Sequence, residues 1–197
     1  PLAQPIQQLH ISEIPREWHK KGDHHLPPDI ATAKSLLAAA LQGQDMALSS
    51  EAGMPAVADP GSSLVRAAHI LGVPVVPLVG PSSIVLALAA SGLNGQGFVF
   101  HGYLPQDVQA RAQRLQELEK AAHKTGQSQW WIETPYRNAA TLQTMLKVLQ
   151  PNTLVSIASG LTLEQMQINT NTVAILRQQN CQYGEKLPAV FGLGKGA

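Results

Sequence analysis

The sequence predicts an α/β fold with at least one parallel sheet, on three observations. Strand-like apolar stretches alternate with helical stretches along most of the chain. Val73–Val79 is almost continuously apolar, the pattern of a strand covered on both faces. Two turns marked by Gly and Pro, Ser49–Gly61 and Gly80–Ser83, each follow a strand and open a helix rich in small residues. In open α/β sheets that arrangement puts ligands in the crevice at the carboxyl ends of the strands.

The elements follow in order. Gln4–Pro28 mixes Pro, His and charges without periodicity and reads as a loop around a short strand at Gln8–Ile11. A helix runs from Pro28 or Asp29 to Leu41, with Gly43 after its end. Asp45–Ser49 is a short strand leading into the first turn. The next helix takes its cap from the Asp59 region, has Pro60 near its first position, and ends before Gly72. Leu64, Val65, Ala68 and Leu71 form its apolar face. After the strand Val73–Val79 comes an Ala-rich helix, Ser82–Ser91, closed by Gly92.

Beyond the strand Gly97–His101 the texture changes. Gln106–Lys124 is a charged amphipathic helix with Arg111, Arg114, Glu117 and Lys120 on its wet side. A strand at Gln129–Glu133, a turn at Thr134–Tyr136, and a helix from Arg137 to Leu149 follow. Strand Thr153–Ala158, a turn at Gly160–Thr162, helix Thr172–Gln179 and strand Leu187–Leu193 complete the chain. The change of texture places a domain boundary near residue 102, giving domains 1–102 and 103–197.

Composition narrows the function. A net charge of +1 excludes the broad basic surface of a protein that holds nucleic acid by charge alone. A single cysteine, Cys181, excludes an internal disulfide framework and points to a reducing, cytoplasmic setting. The longest apolar run, Ile84–Ala90, is too short to span a membrane. No G-x-G-x-x-G dinucleotide fingerprint, phosphate loop or nucleophile elbow is present. His24 and His25 sit together in a polar loop with no metal-ligand partner, so no metal is expected. Of Trp130 and Trp131 on their strand, one indole is expected in the core and the other half exposed.

Two places carry candidate chemistry. Glu51, Ala52 and Gly53 lie at a strand end where the backbone can approach a ligand closely. Glu133-Thr134-Pro135-Tyr136-Arg137 groups a carboxylate, a hydroxyl, an aromatic ring and a guanidinium, a set able to orient a polar substrate or hold a phosphate.

In order along the chain stand Ser50-Glu51-Ala52-Gly53-Met54-Pro55, Ala58-Asp59-Pro60-Gly61, Val76-Pro77-Leu78-Val79-Gly80-Pro81-Ser82-Ser83, Ala89-Ala90-Ser91-Gly92-Leu93 and Phe100-His101-Gly102-Tyr103-Leu104-Pro105. This series resembles the tetrapyrrole methylase superfamily, in the branch of the bacterial 16S ribosomal RNA ribose 2′-O-methyltransferases. The resemblance runs from Gln42 to Thr134 and more weakly to Leu193.

The resemblance implies two α/β domains, the first with a parallel sheet and the second with a mixed sheet, in a homodimer. It implies S-adenosylmethionine as cofactor, held by Glu51, Ala52, Gly53, Ser83 and Ile84 from the first domain and by Thr134 and Ala189 from the second. It further implies methyl transfer to a ribose hydroxyl of ribosomal RNA in the small subunit. Glu133 is then the candidate base and Arg137 the candidate phosphate contact. The chain departs from the family pattern in four ways. It lacks the opening strand and glycine-bearing loop, which suggests that an upstream segment is missing. Glu51 stands where the family has Asp. Ser159–Glu164 replaces an E-L-T-K-like motif, and the Arg/Lys load is modest. These departures leave open a paralogue acting on a small molecule or tetrapyrrole, or a non-catalytic cofactor-binding relative.

Overall fold

The structure, a computed structural model, describes Pro5, residues 8–15, Trp18, residues 29–179 and residues 187–196. His24, His25, Cys181 and the expected helix start at Pro28 lie outside these residues. The chain divides into two compact units, Pro1–Pro81 and Ser82–Ala197. The boundary expected near residue 102 falls inside a strand whose pairing assigns it to the second unit's sheet.

In the first unit, α1 (Ile30–Leu36) and α2 (Ala38–Leu41) replace the single helix expected. The Asp29 carboxylate accepts from the backbone N–H groups of Ala31 and Thr32 and so caps α1. Helix α3 (Ser62–Ile70) starts after Gly61, whose φ of 130° makes it the N-cap, so the cap is not at Asp59. It buries Ser63, Ala67 and Ala68, a face only partly the expected one, and packs with α1. Three expected strands are not formed. Among the described residues, Gln8–Ile11, Asp45–Ser49 and Val73–Val79 join no ladder. Val76, Leu78 and Val79 are correspondingly exposed, at 75%, 78% and 107%. An apolar run becomes a buried strand only when a neighbour satisfies its backbone and covers its faces.

The second unit is an α/β layered structure. Its elements are α4 (Ser83–Ser91), β1 (Phe98–Tyr103), α5 (Val108–Thr125), β2 (Ser128–Glu133), a 3-10 turn (Pro135–Arg137), α6 (Asn138–Val148), β3 (Leu154–Ser159), β4 (Gln167–Thr172), α7 (Val173–Gln178) and β5 (Ala189–Gly194). The sheet order is β1-β2-β5-β3-β4, with β1 and β2 parallel and the other pairs antiparallel, so the sheet is mixed. Strand β4 (Gln-Ile-Asn-Thr-Asn-Thr) was not expected, because its polar edge sequence carries almost no apolar signal. Asp107 caps α5 through Ala110 N–H, and Gly126 in the left-handed region ends it.

Alternation along the strands builds two cores. Trp131, Phe191 and Ile157 face α5, α6 and α7, joining Leu115, Leu118, Leu142, Met145 and Leu176. Trp130, Val190 and Ala158 face the opposite way, onto Ala87 and Leu88 of α4. Both tryptophans are therefore fully buried, against the expectation that one would be half exposed. Trp131 stacks on Phe191 with ring centroids 5.9 Å apart. Trp130 lies over Gly192, its register partner, and its Nε1–H donates to Ser128 Oγ at 2.8 Å.

A Cβ at residue 192 would meet the Trp130 ring at 2.6 Å. The Gly192→Ala change is expected to lower stability by about 1–3 kcal/mol, the usual cost of overpacking. Urea denaturation followed by tryptophan fluorescence checks this, and an unchanged midpoint would show that the sheet accommodates the methyl group.

Candidate functional site

The expected site residues are divided between the two units. In the first, Glu51, Ala52 and Gly53 are exposed in a turn tightened by Ser50, whose hydroxyl donates to the carbonyls of Ala52 and Gly53 at 3.2 Å. Gly53 has φ of 79° with open space where a Cβ would stand. Ala56 and Ala58 also adopt positive φ, 62° and 59°, a conformation that costs L-residues energy and that here shapes the turn before Gly61. This exposed backbone, without side-chain bulk at Gly53, fits close approach of a small ligand.

In the second unit, Ser83 is exposed and Ile84 buried in the first turn of α4. The Ile84 side chain belongs to the interior, so only its backbone is available to a ligand. The remaining four residues are gathered at one rim of the sheet. Glu133 ends β2 and is paired in register with Ala189 of β5, which is paired in turn with Ser159 of β3. Thr134 and Arg137 follow Glu133 directly through the 3-10 turn.

The electrostatics of this rim centre on Glu133, whose side chain has no exposed surface. Its Oε1 accepts from Thr141 Oγ1 at 2.9 Å and from Arg137 Nη2 at 3.1 Å. The same Arg137 nitrogen also donates to the carbonyls of Leu104 at 2.8 Å and Pro105 at 3.2 Å. Arg111, expected on the wet side of α5, is only 4% exposed. Its guanidinium donates to Gln106 O at 3.1 Å and to Thr144 Oγ1 at 3.3 Å. Two arginines thus hold the carbonyls of three consecutive residues after β1. Glu133 Oε2, Thr134 Oγ1, Arg137 Nε and Asn138 Oδ1 are buried without a protein partner. Such atoms are ordinarily met by water or ligand.

This geometry revises both catalytic candidates. A base must reach the proton it removes, and the Glu133 carboxylate is enclosed and already bonded to Thr141 and Arg137. Arg137 points inward to a carboxylate and two carbonyls, so its guanidinium is not presented to an external phosphate. Sequence reading missed Arg111, Thr141, Asn138 and Ser159. Only the register across β2, β5 and β3 brings Ser159 to the rim, and only the docking of α5 on α6 turns Arg111 inward.

The second unit is thus a five-stranded mixed sheet flanked by helices, with a polar cluster at the strand ends. The family model described as Tetrapyrrole (Corrin/Porphyrin) Methylases matches residues 9–176, and the chain belongs to that family. Among curated relatives, Ribosomal RNA small subunit methyltransferase I of Vibrio cholerae is 36% identical over 165 residues, covering 81% of this chain and 56% of the relative. The protein of the same name from Mesorhizobium japonicum is 40% identical over 141 residues, covering 72% and 47%. The chain spans about half the length of these curated relatives. Among solved structures, the methyltransferase CobJ superposes with a TM-score of 0.54 at 17% identity, over 85% of this chain and 71% of that one. A uroporphyrin-III-C-methyltransferase from Thermus thermophilus gives 0.50 at 19% identity, over 84% and 70%. These two likenesses establish the shared fold.

Burial pushes the Glu133 carboxyl above its ordinary value of 4.5, against the opposing pull of the Thr141 hydroxyl, Arg137 and Arg111. The folded chain then keeps a proton that the unfolded chain releases, so stability falls as pH rises from about 4.5 toward the raised value and then levels. Glu133→Gln removes this slope. Thermal melts of both proteins from about pH 4 to pH 8 check it, and parallel pH profiles would show that the carboxyl titrates normally.

Proposed function

We propose that this chain belongs to an S-adenosylmethionine-dependent methyltransferase whose acceptor is a ribose hydroxyl of small-subunit ribosomal RNA. The observation that carries the reading is family membership together with relatives up to 40% identical named Ribosomal RNA small subunit methyltransferase I. When bound, the cofactor supplies a methyl group on a sulfonium, and the protein must align that group with the acceptor oxygen. The residues that match the family's cofactor-binding motifs are Glu51, Ala52 and Gly53 of the first unit and, in the second, Ser83 and Ile84 through their backbone, with Thr134 and Ala189 at the rim of the mixed sheet.

In this reading Glu133 and Arg137 serve as positioning residues, and neither exchanges a proton with the acceptor. Their ion pair sets where Thr134 stands relative to Ala189 and anchors the segment after β1. The working protein has two α/β domains, the first with a parallel sheet. It acts as a homodimer in the cytoplasm.

Calorimetric titration of S-adenosylhomocysteine tests the cofactor assignment. Gly53→Val is expected to abolish binding while leaving the melting temperature of the second unit unchanged, because the added side chain meets no neighbour yet opposes a φ of 79°. Unchanged affinity would make the turn purely structural. Labelled methyl transfer to small ribosomal subunits lacking the modification tests the acceptor. Labelling of small-molecule extracts in their place would move the substrate to a tetrapyrrole or another small molecule.

A further inference from the structure

Two tyrosines stand exposed at the same corner of the second unit, Tyr103 at 56% and Tyr136 at 76%. Both lie at the carboxyl end of the parallel β1–β2 pair. Tyr103 ends β1 in register with Ile132 of β2, and Tyr136 sits in the 3-10 turn that follows β2. The β1–β2 ladder shifts register between Phe100 and Tyr103, where Gly102 has φ of 66°. Irregularities of this kind re-aim a side chain at a sheet edge.

The chain next to both tyrosines is clamped. Arg137, next to Tyr136, donates to the carbonyls of Leu104 and Pro105, which directly follow Tyr103. Arg111 takes the next carbonyl, that of Gln106. One exposed aromatic side chain needs no explanation. Two on adjacent strand ends, whose backbone is tied together by inward-facing arginines, spare a ligand the cost of ordering that backbone.

The charge of the clamp selects the occupant. Two guanidiniums, Arg111 and Arg137, accompany one carboxylate, Glu133, and among the described residues no other carboxylate lies within ion-pairing distance of either arginine. The clamp therefore carries a net positive charge on the chain segments that bear the two exposed tyrosines. A flexible polyanion with flat, unpaired rings matches both features, since bases of single-stranded nucleic acid stack on aromatic side chains.

We propose that Tyr103 and Tyr136 are a stacking platform for unpaired bases of an RNA strand, held in fixed relation by the Arg111–Glu133–Arg137 clamp. This rests on the reading of the chain as an RNA methyltransferase and names residues that contact its substrate. The platform acts through ring faces, so the phenolic hydroxyls are dispensable.

The test is fluorescence anisotropy of a labelled, unstructured oligouridine RNA with the full chain. Tyr103→Ala and Tyr136→Ala are each expected to weaken binding about tenfold, and Tyr103→Phe and Tyr136→Phe to retain it. The salt dependence is expected to be the same in all variants, because stacking releases no counterions. A melting temperature equal to that of the parent confirms that each variant is folded, as expected for exposed positions. Three results would overturn the proposal: no binding by the parent chain, alanine variants that bind as the parent does, or a loss with phenylalanine equal to that with alanine. A change in sedimentation with the alanine variants would assign the corner to self-association and also overturn it. S-adenosylhomocysteine titration of the same variants keeps the two readings apart. Failure of cofactor binding in the parent sinks the methyltransferase reading, whereas intact cofactor binding with ring-independent RNA affinity sinks only the platform.

Discussion

Strand β5 occupies the centre of the sheet although it is the last strand in the chain, and the second unit depends on that placement. It pairs with β2 on one side and β3 on the other, and every one of its residues is buried. Both cores draw on it, Phe191 and Leu193 for one and Val190 for the other. Gly192 is the point of least tolerance, because the Trp130 ring occupies the space a side chain would need. Without β5, β1–β2 and β3–β4 would be two separate ladders. The pairing joins residues far apart in sequence, so its chain-closure cost is met only when the sheet is nearly complete.

The same placement creates the polar rim. Ala189 is a small residue between Glu133 and Ser159, and it brings together two strand ends that are distant in sequence. The Glu133 carboxylate loses its hydration there and is held by one hydroxyl and one guanidinium. Removing one partner of such a pair leaves a buried charge uncompensated, at a cost of about 3–5 kcal/mol. The pair is therefore better understood as fixing geometry than as a net source of stability.

The second unit was largely legible in the sequence because its signals are local. The amphipathic spacing of α5, the short apolar stretches of β2 and β3, and the Gly92 stop each act within a few residues. What escaped was set by partners distant in sequence. Arg111 has the helical spacing of a solvent-facing residue and is buried only because α6 lies across it. Strand β4 is a strand because β3 supplies its ladder, not because its side chains demand one. Val73–Val79 shows the converse, since an apolar pattern was present and no partner among the described residues converts it into a strand. At the candidate site, the grouping of a carboxylate, a hydroxyl, an aromatic ring and a guanidinium singled out the Glu133–Arg137 segment, but residue type alone could not say whether its charges face outward or inward.

That inward orientation follows from the backbone after β1. Leu104 is buried, and the turn toward α5 begins there, so its carbonyl has left the ladder and needs a donor from elsewhere. A single nitrogen of Arg137, Nη2, meets two successive carbonyls and a carboxylate, and Arg111 extends the pattern to Gln106. Burying two cations is tolerable only with an anion beside them, which is the place Glu133 fills. The spacing of Glu133 and Arg137, four residues apart across a proline-led turn, is thus a structural necessity of this corner. The side chains left free to meet a ligand at the rim are those the clamp does not use.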